Sequence, residues 1–467
     1  MRLLLASTYE LGRQPVHLAS PQARLRASGV DTIPIDLSVD ELSPDLLEQV
    51  DGVAFSVPMH TAMRLAVPIA RRIKESWPEL PIAFYGLYAA VGADENLGVV
   101  ADALFTGEYE GPLTDWALRL GEPFAPIKTT NLANTPFLTP DRSGLSSYES
   151  YARLEWEGEA RPAAAVEASH GCRHRCRHCP IPAVYDGRMR VVGKEPVLRD
   201  IDQLAVSGVR HVTFGDPDFL NAPRYSIDIL REAHLAHPDM TFDVTVKVEH
   251  ILRHRALWAE MADLGVLFVV SAFETVDPTS LLILDKGHTV ADMVEAVTVL
   301  RSAGIHIRPT WLPFLPWTEP GHLSNLVRFI DESDLWGAID PVQLAIKLLI
   351  PEGSLLEEHP AVVPLLDEYV PESLTWSWRF AHPETGRIHE VLEGIAANAS
   401  DCGQEATETL EAIRSRIGEL TATPFGTMPA ARPAPRLTES WFCCAEPTAS
   451  QAESAGLQIA RVPVTQR

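Results

Sequence analysis

Twice along this chain short apolar runs alternate with segments of helical period, and that alternation confines it to an α/β fold of parallel sheets covered by helices. In the first series, strands are expected at Arg2 to Ser7, Thr32 to Leu37, Gly52 to Val57, Ile82 to Tyr85 and Ala103 to Gly107. Helices between them, at 18–27, 42–50 and 63–76, make residues 1–125 a Rossmann-like unit of five strands. Residues 126–162 carry Pro, Thr and Ser with little periodicity and read as a connector.

The second series spans residues 163–351. Strands are expected at Ala163 to Ser169, His211 to Phe214, Thr241 to Val248, Val266 to Phe273, Ile305 to Thr310 and Val342 to Ile350. Helices separate them at 196–207, 226–237, 255–264, 290–303 and 322–332. Six β/α units fall short of the eight that close a TIM barrel, so a partial (β/α)6 barrel with a wide mouth is expected. Residues 352–467 form a less regular C-terminal extension, with a helix over 403–420 and an extended, mobile Pro- and Ala-rich stretch over 421–435. A length of 467 residues leaves room for these parts.

Charge and hydropathy remove several classes of partner. A formal net charge of -24 would repel a phosphate backbone, so no nucleic acid is expected. No apolar run approaches the roughly 18 residues needed to span a bilayer, and no membrane partner or export is expected. The six cysteines are not spread as a disulfide framework. A reducing, cytoplasmic location is expected.

Three of those cysteines, Cys172, Cys176 and Cys179, fall at C-x3-C-x2-C spacing in the loop after the first strand of the second series, where catalytic loops of parallel α/β folds gather. Three thiolates can hold three irons of a [4Fe-4S] cubane and leave the fourth iron open. An open iron can chelate the amino and carboxylate groups of S-adenosylmethionine beside a strong one-electron reductant, and cleavage of the carbon–sulfur bond yields a 5'-deoxyadenosyl radical. Zinc is the alternative, with His174 or His178 completing a tetrahedral site, although zinc sites more often use two separated pairs of ligands.

The motif and its position resemble the radical S-adenosylmethionine superfamily, and the resemblance covers about Ala163 to Pro351. His178 stands where that family usually carries an aromatic residue before the third cysteine, packing near adenine. Gly215, Asp216 and Asp218, after the second strand, match the place that binds the methionine amino group, though Asp-Pro is also a common turn starter. Glu274 ends the fourth strand and resembles the family's carboxylate for the ribose hydroxyls; helix capping is its other reading. Lys247, Glu249 and Arg308 are candidates for steering the cofactor carboxylate, or are solvated charges. Trp311 to Trp317 would line the mouth or simply pack.

In an open α/β sheet ligands bind across the carboxyl ends of the strands. The first unit's candidates there are Tyr9, Glu10, Leu11 and Gly12, then Met59, His60 and Thr61, then Tyr85, Gly86 and Leu87, and finally Gly107 and Glu108. The absence of G-x-G-x-x-G argues against a dinucleotide. The arrangement resembles the cobalamin-binding domains that precede many radical S-adenosylmethionine barrels, which implies cobalamin as a further cofactor. No D-x-H-x-x-G follows the first strand, so a histidine on cobalt is not expected; His17 and His60 are the weak candidates. The other reading is a Rossmann-like domain without a ligand, or one that serves as an interface.

Near the end, Cys443-Cys444-Ala-Glu-Pro447 resembles the tail of the CUAEP/CCAEP-tail radical S-adenosylmethionine proteins, some of which carry selenocysteine at the position of Cys443. That implies reactive thiols at Cys443 and Cys444 rather than inert buried ones. Cys402 reads as an isolated residue at a helix start. The leading reading is a cobalamin-dependent radical enzyme of methyltransferase type, acting on a small molecule with a reductant such as flavodoxin or ferredoxin. Its alternatives are an enzyme joining carbon to arsenic, selenium or sulfur held by the tail pair, and a non-catalytic iron–sulfur or cobalamin sensor.

Overall fold

The structure, a computed structural model, describes residues 1–123, 125–439, 446–447 and 449–462. The apolar runs of the first series form β1 (Arg2–Ser7), β2 (Asp31–Asp36), β3 (Gly52–Ser56), β4 (Ile82–Tyr85) and β5 (Ala103–Gly107). Every residue of β3, β4 and β5 is buried, because helices cover both faces of the sheet. Leu4, Phe55 and Phe84 pack on one face, and Leu5, Ala54 and Tyr85 on the other. A further strand, β6 (Ile127–Asn131), pairs parallel with β5 and completes the order β2-β1-β3-β4-β5-β6. It carries the first sheet past residue 125 into the expected connector. As a half-exposed edge strand of sequence Ile-Lys-Thr-Thr-Asn it offers no apolar run to read.

β7 (Arg153–Trp156) and β8 (Glu159–Val166) make a hairpin across Glu157 and Gly158. The chain before it is fixed by buried Arg142, which bonds both carboxylate oxygens of Asp200 at 2.7 and 2.8 Å and the Ala165 carbonyl at 2.7 Å. β9 (Ser169–Gly171) and β10 (Met189–Val191) then pair antiparallel, with the cysteine loop between them. β11 (His211–Phe214), β12 (Thr241–Thr245), β13 (Val266–Glu274) and β14 (His306–Trp311) continue in parallel from β8. Val212, Phe214, Phe242, Val244 and Val269 pack outward into the main core. Asp243, Phe268, Val270 and Arg308 line the concave face instead.

The sixth expected barrel strand, Val342 to Ile350, is not regular. Pro341–Leu344 is a 3-10 turn, and this stretch meets the barrel by an isolated bridge of Phe314 with Lys347 and by the Trp311 N–H, which donates to Gln343 Oε1 at 3.0 Å. Five parallel strands therefore curl into a half-barrel. After the hairpin β15 (Leu366–Val370) and β16 (Thr375–Trp378), two helices follow, Pro383–Cys402 and Ala406–Leu420. Ile388, Leu392, Leu410, Ile413 and Ile417 on them enter the barrel core. Cys402 ends the first of these helices rather than starting one, and it is exposed. The stretch 421–435 opens with a turn and otherwise has no regular secondary structure, with Phe425 and Met428 laid against the core. β17 (Arg436–Leu437) pairs with β7, giving the order β14-β13-β12-β11-β8-β7-β17. The last described helix, Ala449–Arg461, returns to the first unit, where Gln458 bonds the Leu42 N–H and the Asp40 carbonyl, both at 2.8 Å. Among the described residues no helix is long and apolar enough to cross a membrane.

Candidate active site

β9 and β10 pin both ends of the loop that carries Cys172, Cys176 and Cys179. Its middle is tied to the segment after β13, where the Arg177 N–H donates to the Leu284 carbonyl at 2.9 Å. Cys172 and Cys176 are buried, Cys179 is half-buried, and all three are free thiols. Asn221 donates its amide toward Cys172 Sγ at 3.4 Å. Burial pushes the Cys172 thiol up, so a metal must displace its proton on binding. Buried Lys286 lies close enough to interact with the charges of Cys176 and Cys179. Three soft sulfur donors beside a buried cation fit an anionic iron–sulfur cluster. One ring nitrogen of each histidine that zinc would require is engaged elsewhere: His178 Nε2 is 3.0 Å from Glu274 Oε1, and His174 Nδ1 is 3.1 Å from Lys247 Nζ.

The strand ends around this loop form a ring of charge. Glu274 has a φ of 64°, sparsely populated for a residue with a side chain, and its Oε1 accepts from His178 and Lys286 at 3.0 Å each. Burial alone would raise this carboxyl, but Lys286 and His178 hold it well below the usual carboxylate range. Asp218 is fully buried, accepting from the Leu220 N–H at 3.0 Å and the Lys247 N–H at 3.3 Å, with His250 Nδ1 2.9 Å from its Oδ2. It draws close to His174 and His250, a group that Lys247 already supplies with a cation. Gly215 donates its N–H to the Val166 carbonyl. Asp216 braces the cysteine loop from below, accepting from the Ala168 N–H at 2.9 Å and the Ser169 hydroxyl at 2.5 Å, and burial pushes its pKa up to about 7. Arg308 stands apart from the ring. It is in register with Val270, well before Glu274 on β13, and it bonds Asp340 at 2.8 Å.

The strand ends of the first sheet face the half-barrel. Tyr9 donates its hydroxyl to Glu439 at 2.8 Å. Leu11 and Gly12 both take positive φ, and a Cβ on Gly12 would come within 2.7 Å of Glu439, so the glycine lets this carboxylate lie flat on the loop. Met59 packs against Tyr9 and Leu11, and Thr61 is buried. His60 is buried with Nε2 3.2 Å from Glu446, which also meets Arg64. Tyr85 donates to the His17 carbonyl at 2.9 Å, while Gly86 and Leu87 open the short turn after β4. A Cβ on Gly107 would run into the Asn131 carbonyl of β6. Between these loops and the helix Ala449–Arg461 lies a cavity of about 430 Å³, whose lining includes Tyr9, Gly12, Ser38, Val39, Leu65, Tyr151, Glu439 and Gln451. Cys443 and Cys444 lie outside the described residues.

A buried chain of charge, absent from the sequence expectations as a network, joins the two units. Glu10 meets His17 Nδ1 at 3.0 Å, His17 Nε2 meets Glu167 at 3.2 Å, Glu167 meets His170 Nε2 at 3.3 Å, and His170 Nδ1 meets Glu108 at 3.1 Å. Both ring nitrogens of His17 are therefore engaged, which removes it as a cobalt ligand. Burial alone would lower the His17 pKa, but Glu167 and Glu10 override it and hold the pKa well above 6.5. A histidine raised in the fold contributes stability that is fully present below its unfolded value and is lost as pH rises through the folded value. His17→Gln is expected to cost about 3 kcal/mol near pH 6. The gap in Tm from the wild type should narrow as the pH is made alkaline; a gap that widens would show that His17 is not an imidazolium.

Comparison with known proteins agrees with this geometry. Residues 166–323 match the model of the Radical SAM superfamily. The hopanoid C-2 methylase of Rhodopseudomonas palustris (strain TIE-1) is 24% identical over 402 residues, covering 78% of this chain and 73% of that protein. Among solved structures, the cobalamin-dependent S-adenosylmethionine radical enzyme OxsB with aqua-cobalamin superposes with a TM-score of 0.65 at 16% identity, covering 85% of this chain and 67% of that one. The radical S-adenosylmethionine methyltransferase TsrM from Kitasatospora setae, with cobalamin and a [4Fe-4S] cluster, gives 0.56 at 15% identity, covering 90% and 98%. These two share its order of a parallel sheet followed by a half-barrel. With the three thiols on the loop that opens the matched segment, residues 166–323 match the radical SAM superfamily, and the chain is a radical SAM-type enzyme that uses a [4Fe-4S] cluster and S-adenosylmethionine.

Proposed function

We propose that this enzyme is a cobalamin-dependent radical SAM methyltransferase acting on a small molecule. The observation that carries the reading is that the cavity over the first sheet and the hollow of the half-barrel share one wall, Glu439. A ligand above the first sheet would face a substrate in the half-barrel across that side chain. The cavity fits a corrin in chemistry. Leu37, Leu65 and Ile69 offer an apolar floor, and Thr8, Ser38, Tyr151, Gln451 and Gln458 offer hydroxyls and carboxamides for an amide-fringed rim. Tyr9, Gly12 and their neighbours Leu11 and Met59 would hold it, while Glu10, Tyr85, Gly107 and Glu108 hold the loops behind them.

When bound, the cluster supplies one electron to S-adenosylmethionine and methylcobalamin supplies the methyl group. The chain's part is placement. Cys172, Cys176 and Cys179 fix the reductant, Glu274 and Asp218 hold polar groups at the strand ends, and the Glu10-to-Glu108 network keeps the two units in one register. An external reductant such as flavodoxin or ferredoxin would deliver the electron. The radical SAM match over residues 166–323 gives the sensor reading no support, and nothing among the described residues favours carbon–heteroatom chemistry.

The test uses the full chain, reconstituted without oxygen with iron and sulfide and then desalted after incubation with hydroxocobalamin. Retention of about one corrin per chain is expected, read from its visible spectrum. Val39→Glu, on the exposed rim of the cavity, should weaken retention by roughly tenfold or more while iron content stays unchanged. Cluster-loaded protein that holds no corrin would overturn the cobalamin reading and leave the superfamily assignment intact.

A further inference from the structure

One wall of the cavity over the first sheet is made by the helix Ala449–Arg461, which supplies Gln451, Ser454, Ala455 and Gln458. Their spacing of i, i+3, i+4 and i+7 puts all four on one face of that helix. The other face is in solvent, where Leu457 is 58% exposed. The facing wall belongs to the body of the first unit, with Leu65 and Ile69 on the helix His60–Ser76 and Leu37 just after β2.

The two walls are held differently. Leu37, Leu65 and Ile69 are buried in apolar clusters of the sheet and its helices, and they cannot yield without disrupting that core. The terminal helix adds to those clusters only Ala455, Ile459 and Val462. Gly456 in its middle weakens it further as a helix. What fastens it is polar and local. Gln458 is 4% exposed and uses both ends of its carboxamide on one loop: Oε1 accepts from the Leu42 N–H at 2.8 Å, and Nε2 donates to the carbonyls of Asp40 at 2.8 Å and Leu37 at 3.4 Å. Beside it Arg461 meets Glu41 at 2.5 Å, and Arg72 donates to the Val462 carbonyl at 3.1 Å. Ahead of the helix, Glu446 is held by buried His60 at 3.2 Å and by Arg64 at 2.9 Å.

Size gives this difference a use. A cavity of about 430 Å³ lies toward the lower end of the roughly 300–1,000 Å³ that holds a drug-sized ligand. A corrin with its amide arms and nucleotide tail is larger than such a ligand, so the cavity must widen to take one. The terminal helix is the wall that can retreat while the core stays intact, because few buried apolar contacts oppose its opening.

We propose that the helix Ala449–Arg461 is a lid on the corrin site, latched by Gln458 on the loop 37–42. Release of the latch opens the cavity to a corrin, and reclosure brings Gln451 and Ser454 to its amide groups and retains it. The lid rests on the cobalamin reading and adds to it the means of loading and retention.

The test follows corrin exchange in the full chain with its cluster reconstituted, using hydroxocobalamin read by its visible absorbance. Gln458→Ala unfastens the helix and is expected to speed both uptake and release by roughly tenfold or more, with iron content unchanged. A wall that merely touches the corrin would speed release alone; that outcome, or two unchanged rates, would overturn the lid. Hydrogen exchange of the wild type needs no variant and decides the matter if Gln458→Ala does not fold. Without corrin, the amides of 449–462 are expected to exchange roughly tenfold or more faster than those of β3 and β4, and to slow when hydroxocobalamin is added. A helix that exchanges as slowly as β3 and β4 in corrin-free protein, or one not slowed by a corrin that the protein retains, counts equally against the lid. Absence of corrin uptake in the wild type and in Gln458→Ala alike rejects the cobalamin reading itself, whereas corrin taken up beneath a helix that never opens rejects the lid alone.

Discussion

Replacing any one of Cys172, Cys176 and Cys179 with alanine is expected to abolish the iron–sulfur absorbance of the reconstituted protein and to lower 5'-deoxyadenosine formation by more than roughly a hundredfold. Removing a group that merely supports a metal ligand already costs about 10–100-fold, and these side chains are the proposed ligands themselves. The chain should stay folded, because the loop is pinned by β9 and β10 and by Arg177 on the Leu284 carbonyl, none of which needs a thiol. Cys402→Ala is the matched control. Cys402 is exposed at the end of its helix, so its loss should change stability by no more than about 0.5 kcal/mol and leave iron content alone. Metal analysis separates the cluster from zinc: iron and sulfide should disappear together in the three variants. Zinc retained by the wild type in place of iron would reject the cluster, as would iron that survives the triple replacement.

The sequence was most legible where burial on both faces leaves an unbroken apolar run, as in Val-Ala-Phe of β3 and Ile-Ala-Phe-Tyr of β4. It was least legible at edges. β6 alternates half-buried and exposed residues and offers only Ile127 to the core, and no local pattern distinguishes such a strand from a loop. The sixth barrel unit failed for the opposite reason. Val342 to Ile350 is apolar enough for a strand, but Pro341 starts a 3-10 turn and the run packs as irregular chain. The helix Pro383–Cys402 was missed because its contribution to the core rests on few large side chains, Ile388 and Leu392, among alanines.

At the site, spacing revealed the thiols because three cysteines in eight residues have few uses other than binding a metal. It could not reveal Glu167 and His170, whose partners come from a different unit more than fifty residues away. The signal that was present is a charge at the very end of an apolar strand, Glu167 after Val166, followed three residues later by His170. Asp243 left a similar trace. In Thr241-Phe-Asp-Val-Thr245 the polar residues share one face and the apolar ones the other, which is unusual for a parallel strand covered on its outer side by helices, and it marks a barrel interior that is not simply packed. Asp216 shows the limit of motif transfer: it stands at the matched position, yet both its oxygens are engaged with Ala168 and Ser169.

Glu274→Gln is expected to have the second-largest effect, and it distinguishes two roles for one carboxylate. With the charge gone, Lys286 stays buried at 2% exposure beside Cys176 and Cys179 without its anion. Breaking such a buried pair costs about 3–5 kcal/mol, so the Tm should fall by several degrees. The sign with pH follows from the depressed carboxyl: its stabilisation is present above the unfolded value near 4.5 and fades as the pH falls through the lower folded value, so the variant and the wild type should converge in acid. Cleavage of S-adenosylmethionine should fall by roughly a hundredfold if Glu274 also receives the ribose hydroxyls. Adding Lys286→Met to Glu274→Gln removes the stranded cation and should return most of the lost stability, because both charges are then absent. Cleavage that stays low in the restabilised double variant, with KM for S-adenosylmethionine raised, makes Glu274 a ligand of the nucleoside. Cleavage that returns together with the Tm confines it to anchoring Lys286 beside the thiols.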